Sequence, residues 1–305
     1  MIDKIYLGNT FISTVYLGDT LVKYNQSTKP SKNKKGIWIL NSSNHLMKYD
    51  TTGTLLFTIQ NKVMCVCFDE EGNAYCADNY LYTIRKYSPE GKLLIEKSVN
   101  LYVNNMVYKD KKIYVASYGS VILDSNTLST ERQISIDSHI YSITIRETDI
   151  LLFAEYNYIF KYLPSTMRVQ KMHIEGLVGS HSADYNGKIY AGKEEGTELR
   201  VVEINSSFME TGQYVRTSHV YLNSYGTHLY CSGDRCIYKI VSEFPYERSY
   251  SIKNGISVAE NNSESELYAL TSESTIEVYN LQTGSFKRTI ATTENIGQAK
   301  NIYYA

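Results

Sequence analysis

Proline and tryptophan are rare in this sequence, long apolar runs are missing, and neither charge is in excess. Only four prolines and one tryptophan occur among 305 residues. No window approaches the roughly 18 consecutive apolar residues of a membrane helix, and the start of the chain lacks the apolar run of a signal peptide. Lys and Arg together number 31 against 32 Asp and Glu, so the basic stripe typical of nucleic-acid binding is missing.

Recognisable reactive motifs are absent as well. The five cysteines show no CxxC pair and no zinc-ribbon spacing. We expect reduced, structural thiols, with a disulfide between Cys231 and Cys236 as the alternative. There is no phosphate-binding glycine loop, no GxSxG and no HExxH. The sequence therefore predicts no catalytic motif and no cofactor.

Tyrosine, by contrast, is abundant at 29 residues, and it favours half-buried strands. A short apolar phrase recurs seven times, at intervals of 37 to 40 residues. Its second residues are Trp38, Tyr75, Tyr114, Leu152, Tyr190, Tyr230 and Tyr268. A constant period of about 40 residues indicates a repeat architecture.

Each repeat divides into four short strands. In the second repeat they cover residues 63–68, 73–77, 82–87 and 93–97, and turn residues separate them. Four antiparallel strands at this period are typical of a β-propeller blade. The first repeat begins at Gly36 without a first strand, whereas residues 298–305 follow the last repeat as an unpaired one. The sequence thus predicts an all-β, seven-bladed β-propeller of four-stranded blades over residues 36–305, closed by the C-terminal strand pairing with the N-terminal blade.

Residues 1–35 do not follow this period. They contain the doubled phrase IYLGNT and VYLGDT at residues 5–10 and 15–20, which predicts a short β-ribbon over residues 1–24. Residues 25–35 form a polar, basic linker, which we interpret as a solvated tether. A ribbon this small is not stable alone, so we expect it to pack on the propeller or on another chain.

The doubled phrase resembles a segment of tail and baseplate proteins from bacteriophages that infect Gram-positive bacteria. The resemblance implies an attachment module in which Tyr6, Leu7, Tyr16 and Leu17 contact other tail or baseplate proteins. It further implies several copies per particle and a virion location after synthesis in the host cytoplasm. The propeller part resembles the general seven-bladed superfamily without the motifs of WD40, kelch or sialidase repeats.

Two sets of residues depart from the apolar pattern of the repeats. Ser-His pairs lie at the start of the innermost strand in three consecutive repeats, so His139, His181 and His219 are candidates for a metal site at the channel mouth. Lys62, Asn104 and Asn254 occupy the same place in other repeats, which favours an ordinary polar position. Loops between second and third strands supply carboxylates, amides and tyrosines that suit saccharide hydroxyls. These candidates are Asp78, Asn79, Tyr80, Tyr156, Asn157, Glu194, Asp234 and Arg235.

Three functions follow from these observations. The leading expectation is a non-enzymatic structural protein of a phage tail or baseplate, whose propeller binds other proteins or a host-surface glycan or protein receptor. The alternative is a propeller enzyme, a metal-dependent lyase or hydrolase that works at the channel mouth. A second alternative is an intracellular propeller scaffold. None of the three involves nucleic acid or membrane insertion.

Overall fold

A computed structural model shows an all-β chain that divides into two compact units, Met1–Lys34 and Lys35–Ala305. Four short strands are described within the first 23 residues. Beyond them the structure describes residues 35–60, 62–185, 188–205, 207–217, 222–225, 228–233, 236–240, 248–271, 275–292, 296 and 299–305. None of these residues is helical, and the described part of the chain contains no helix that could span a membrane.

The N-terminal unit contains two antiparallel hairpins. Strand β1 (Tyr6–Leu7) pairs with β2 (Thr10–Phe11), and β3 (Thr14–Leu17) pairs with β4 (Thr20–Lys23). The four residues expected to attach the chain therefore lie in strands, and their contacts with other proteins stay a prediction. The predicted domain boundaries stay predictions too, and most of the predicted linker lies outside the described residues.

The second unit consists of six antiparallel sheets among the described residues. Sheet 1 contains β5 (Ile37–Asn41), β6 (Leu46–Tyr49), β7 (Leu55–Ile59) and the last strand, β30 (Ala299–Tyr304). Sheet 2 contains β8 (Cys65–Phe68), β9 (Ala74–Asp78), β10 (Thr83–Tyr87) and β11 (Leu93–Ser98). Sheet 3 contains β12 (Asn105–Lys109), β13 (Lys112–Asp124), β14 (Thr130–Ile145), β15 (Ile150–Ala154), β16 (Tyr158–Leu163) and β17 (Arg168–His173).

The remaining three sheets have four strands each. Sheet 4 contains β18 (Leu177–Tyr185), β19 (Lys188–Glu195), β20 (Glu198–Ile204) and β21 (Glu210–Thr217). Sheet 5 contains β22 (Leu222–Tyr225), β23 (His228–Gly233), β24 (Cys236–Ile240) and β25 (Arg248–Lys253). Sheet 6 contains β26 (Gly255–Asn261), β27 (Glu266–Thr271), β28 (Ile276–Asn280) and β29 (Phe286–Ile290).

Sheet 3 has six strands because β13 and β14 each supply two strand segments. An extended strand as long as β13, 13 residues, would span about 43 Å. Its flanking residues nevertheless meet, since the Ser125 amide donates to the Lys111 carbonyl at 3.0 Å. The chain therefore folds back near Gly119, whose φ is 76°. Strand β14 then pairs with β13 as far as His139 and with β15 from Ile140 onward. We call β12, β13 and β14 up to His139 half 3a, and the rest of β14 with β15, β16 and β17 half 3b.

The core lies between the sheets. The second strand of a sheet is largely buried and the last is the most exposed, as β9 and β11 show in sheet 2. First strands of neighbouring sheets contact one another, β8 with β12, β14 with β18, and β26 with β30. In one core cluster Trp38 and Leu40 of sheet 1 pack with Val66 and Cys76 of sheet 2. The repeated apolar phrase thus supplies the side chains that pack between neighbouring sheets.

Candidate functional site

The ends of the strands form two opposite edges of each sheet, and these two edges carry different residues. In an antiparallel sheet the second strand ends at the edge where the first strand begins. The loop between second and third strands therefore lies beside the segment that leads into the first strand. We call this the tyrosine edge, because six exposed tyrosines lie on it in sheet 2 and in halves 3a and 3b. They are Tyr80, Tyr82, Tyr102, Tyr118, Tyr141 and Tyr156.

On this edge the predicted candidates Asp78 and Asn79 are buried and bound within the protein. The Asp78 carboxylate accepts hydrogen bonds from the Tyr80 amide and from Arg85 Nη1, both at 3.0 Å. The Asn79 side chain donates to the Val103 carbonyl and accepts from the Val103 amide, each at 2.8 Å. Both side chains thus hold the loop in place, and their contact with a ligand stays a prediction.

Three of the other described candidates face solvent, and Asn157 is half-buried. Tyr80 is 62% exposed, and Lys62 Nζ lies 3.9 Å from its ring centroid. Tyr156 is 74% exposed in a tight turn, where it and Asn157 have φ values of 57° and 65°. Glu194 is exposed as well. Asp234 and Arg235 lie outside the described residues.

His139 stands on the same edge, where its backbone amide donates to Glu155 at 3.3 Å. Its ring packs edge-on against Tyr118, whose hydroxyl donates to Asp137. That hydrogen bond raises the pKa of the Tyr118 hydroxyl above its ordinary value. The side chains of His181 and His219 lie outside the described residues, so the three-histidine metal site stays a prediction. Within the described parts of the chain no group of three His, Cys, Asp or Glu side chains could hold a metal ion.

At the opposite edge a buried tyrosine recurs beside a carboxylate. The hydroxyl of Tyr75 donates to Asp69 at 3.0 Å, and that of Tyr190 donates to Glu203 at 3.1 Å. These tyrosines belong to the repeated phrase. The residue two positions before each tyrosine donates a hydrogen bond to the same carboxylate. Asn73 donates to Asp69 at 2.8 Å, and Lys188 donates to Glu203 at 3.1 Å. A buried phenol needs a partner, which explains this arrangement structurally.

Sheets 5 and 6 carry a chemically different version of the arrangement. Tyr230 donates to Glu260 Oε1 at 2.7 Å, and the residue two positions before it is His228. His228 Nδ1 lies 2.8 Å from the same oxygen. The His228 side chain is 21% exposed and that of Glu260 only 1%. Glu260 Oε2 is buried and has no hydrogen-bond partner among the described residues.

This pair can transfer protons. A carboxylate that accepts from Nδ1 orients the imidazole, makes Nε2 the nitrogen that takes up a proton, and stabilises the imidazolium that results. Sequence reasoning missed both residues because it examined only the histidines that precede first strands. The available signal was the position of His228, two residues before a repeated tyrosine, where other repeats have Asn73 or Lys188.

Comparison with solved structures identifies the fold. A protein assigned as a 6-phosphogluconolactonase from Bacteroides uniformis has a TM-score of 0.64 at 14% identity, covering 89% of this chain and 99% of its own. A protein with the same assignment from Bacteroides fragilis has a TM-score of 0.63 at 12% identity, with coverages of 89% and 98%. Dihydro-haem d1 dehydrogenase NirN has a TM-score of 0.59 at 11% identity, with coverages of 91% and 78%. These neighbours are β-propeller proteins, and the likeness establishes that fold. No protein-family model matches the sequence, and no curated protein matches it either.

The comparison corrects the leading functional expectation. Two of these three neighbours are assigned as lactonases and the third is a dehydrogenase, and none of the three is a phage protein. The expected role as a structural protein of a phage tail or baseplate is therefore wrong.

Proposed function

We propose that this protein is a hydrolase that opens a lactone or a similar ester at His228. The observation that carries the proposal is the hydrogen bond between His228 Nδ1 and the buried Glu260 carboxylate. A partly exposed imidazole held by a buried carboxylate is the arrangement that general-base catalysis uses. The names of the two Bacteroides neighbours support a sugar-acid lactone as the substrate class.

The reaction needs one proton carrier. His228 Nε2 takes a proton from water while the water oxygen bonds to the lactone carbonyl carbon. The tetrahedral intermediate then breaks its ring C–O bond, and the leaving oxygen receives the proton from the imidazolium. One water is added and a hydroxy acid is released. Glu260 stabilises the imidazolium, and the Tyr230 hydroxyl helps to hold the carboxylate in place.

The scaffold that we propose for this site has seven blades and is closed by the C-terminal strand. Halves 3a and 3b count as two blades, which makes seven four-stranded groups with sheets 1, 2, 4, 5 and 6. Strand β30 pairs with β5 and contacts β26, so it supports a junction between sheets 6 and 1.

Lactone hydrolysis by the purified chain tests the proposal. Glucono-1,5-lactone and its 6-phosphate serve as substrates in a pH-stat assay. We expect His228→Gln to lower kcat by about 100-fold to 10,000-fold. Glu260→Gln should lower it by about 100-fold or more, because the amide keeps the hydrogen-bonding shape without the negative charge. His173→Gln is the matched control, since His173 is an exposed histidine on the outer strand β17.

Two results would overturn the proposal. One is hydrolysis of neither lactone by the wild type above the rate in buffer. The other is activity of folded His228→Gln within threefold of wild type. Circular dichroism and the thermal midpoint of each variant separate lost chemistry from lost folding.

A further inference from the structure

The exposed tyrosines are distributed unevenly over the second unit. Among the described residues seven tyrosines are exposed, and six of them form the tyrosine edge. Tyr80 and Tyr82 lie between β9 and β10, Tyr118 lies in the β13 turn, and Tyr156 lies between β15 and β16. Tyr102 precedes β12, and Tyr141 lies where β14 begins to pair with β15. The seventh, Tyr214, lies on the outer strand β21.

Hydrogen bonds hold these loops before any ligand arrives. The two bonds between Asn79 and Val103 join the Tyr80 loop to the segment that carries Tyr102. The Val99 amide donates to the Tyr82 carbonyl at 2.9 Å. Asn104 Nδ2 donates to the Ile140 carbonyl at 2.8 Å, which ties half 3a to half 3b. A surface fixed in this way loses little conformational entropy when it binds.

The chemistry of the edge fits carbohydrate. An exposed phenol offers a flat apolar face for the C–H side of a pyranose ring, and its hydroxyl can hydrogen-bond to the sugar. Carboxylates of Asp137 and Glu155 stand beside Tyr118 and His139, and they disfavour a polyanion such as nucleic acid. Leu81 is the only large aliphatic side chain among the exposed residues described on this edge, which is a poor match to the apolar core of a protein interface.

The edge is also long. Packed sheets lie about 10 Å apart, so tyrosines on three successive four-stranded groups extend over about 20 Å. That length exceeds one sugar ring. We propose that the tyrosine edge binds an extended, neutral polysaccharide by stacking on successive sugar rings. The proposal is independent of the hydrolase, whose His228 and Glu260 lie at the opposite edge of the sheets.

Calorimetric titration with hexasaccharides tests this proposal. The probes are cello-, xylo-, malto- and chito-oligosaccharides of six units, each titrated into the full chain. We expect at least one of them to bind, and both Tyr80→Ala/Tyr102→Ala and Tyr141→Ala/Tyr156→Ala to weaken that binding about tenfold. Tyr214→Ala is the matched control and should keep the wild-type Kd within twofold. All replaced side chains are exposed, so the thermal midpoints should stay unchanged.

The outcomes separate the two proposals. Binding that survives in His228→Gln but is lost in the double variants supports the tyrosine edge whether or not lactone hydrolysis is observed. Failure of all four oligosaccharides to bind the wild type overturns the carbohydrate proposal and leaves the hydrolase proposal untouched. An equal loss in Tyr214→Ala would also overturn it.

Discussion

Lys48 Nζ donates a 2.7 Å hydrogen bond to the carbonyl oxygen of Pro89, which lies in the turn between β10 and β11 of the next sheet. Lys48 is 1% exposed, stands opposite Trp38 in the strand register, and has its ammonium 4.8 Å from the Trp38 ring. The relationship recurs along the chain. Lys86 donates to the Ser125 carbonyl at 3.4 Å, and Lys239 donates to the Leu281 carbonyl at 2.6 Å. In three places a lysine on a third strand thus donates a hydrogen bond to the turn between the third and fourth strands of the next four-stranded group.

Replacing Lys48 by methionine should weaken this connection. The apolar stem remains, but the Pro89 carbonyl loses the lysine as a donor in a partly buried setting. We expect the free energy of unfolding to fall by about 1–3 kcal/mol, as measured by urea denaturation.

Lys97→Met is the control for that experiment. Lys97 is exposed on β11, so its replacement should change the free energy of unfolding by no more than about 0.5 kcal/mol. Equal stability of Lys48→Met and wild type would contradict a stabilising connection between sheets 1 and 2.

The same lysine should make stability depend on pH. Burial lowers the pKa of Lys48 from 10.5 to about 8, against the opposing effect of Glu90. Between these values the unfolded chain binds a proton that the folded chain has released. The contribution of Lys48 to stability therefore rises as the pH goes from about 8 to 10.5, and it is lost as the pH falls through about 8.

The difference in unfolding free energy between wild type and Lys48→Met isolates this contribution from other groups. Urea denaturation at pH 7.5 and at pH 9.5 should show the wild type gaining relative to the variant. A constant difference at the two pH values would show that the folded-state pKa of Lys48 is not lowered.

Removal of residues 299–305 should destabilise the second unit strongly. Strand β30 buries Ile302, and Tyr303 packs on Phe68 with ring centroids 5.5 Å apart. The Trp38 indole also donates to the Ala305 carbonyl at 3.4 Å. Without β30 the strand β5 becomes an unpaired edge, which promotes association between chains.

We expect the truncated chain to elute as aggregates in size-exclusion chromatography and to unfold at a lower temperature. Lys300→Ala is the control, because it removes only an exposed side-chain hydrogen bond to Asn44. A truncated monomer with the wild-type thermal midpoint would argue against closure through β30.

The periodic features of this fold could be predicted from the sequence. The four strands expected in the second repeat agree within two residues with β8 to β11. The expected pairing of the C-terminal segment with residues 37–40 is also observed, between β30 and β5. Both succeed because strand and turn patterns are local, and because an incomplete first repeat leaves one place for a spare strand.

The candidate sites were harder to predict. Asp78 and Asn79 were selected for their polarity, yet both side chains make hydrogen bonds inside the protein. Composition does not reveal whether a polar group faces a ligand or a neighbouring backbone, since both uses need the same atoms. His228 was overlooked because its partner Glu260 is 32 residues away and belongs to another sheet.

The sequence by itself determined the strands, their period and the apolar phrase that forms the core, because each depends on residues close together along the chain. Only the tertiary structure decided which side chains meet across sheets. Packing brought Lys48 to the Pro89 carbonyl, placed His228 against Glu260 and set six exposed tyrosines along one edge. These relationships join residues from different repeats, so they exist only once the repeats pack side by side.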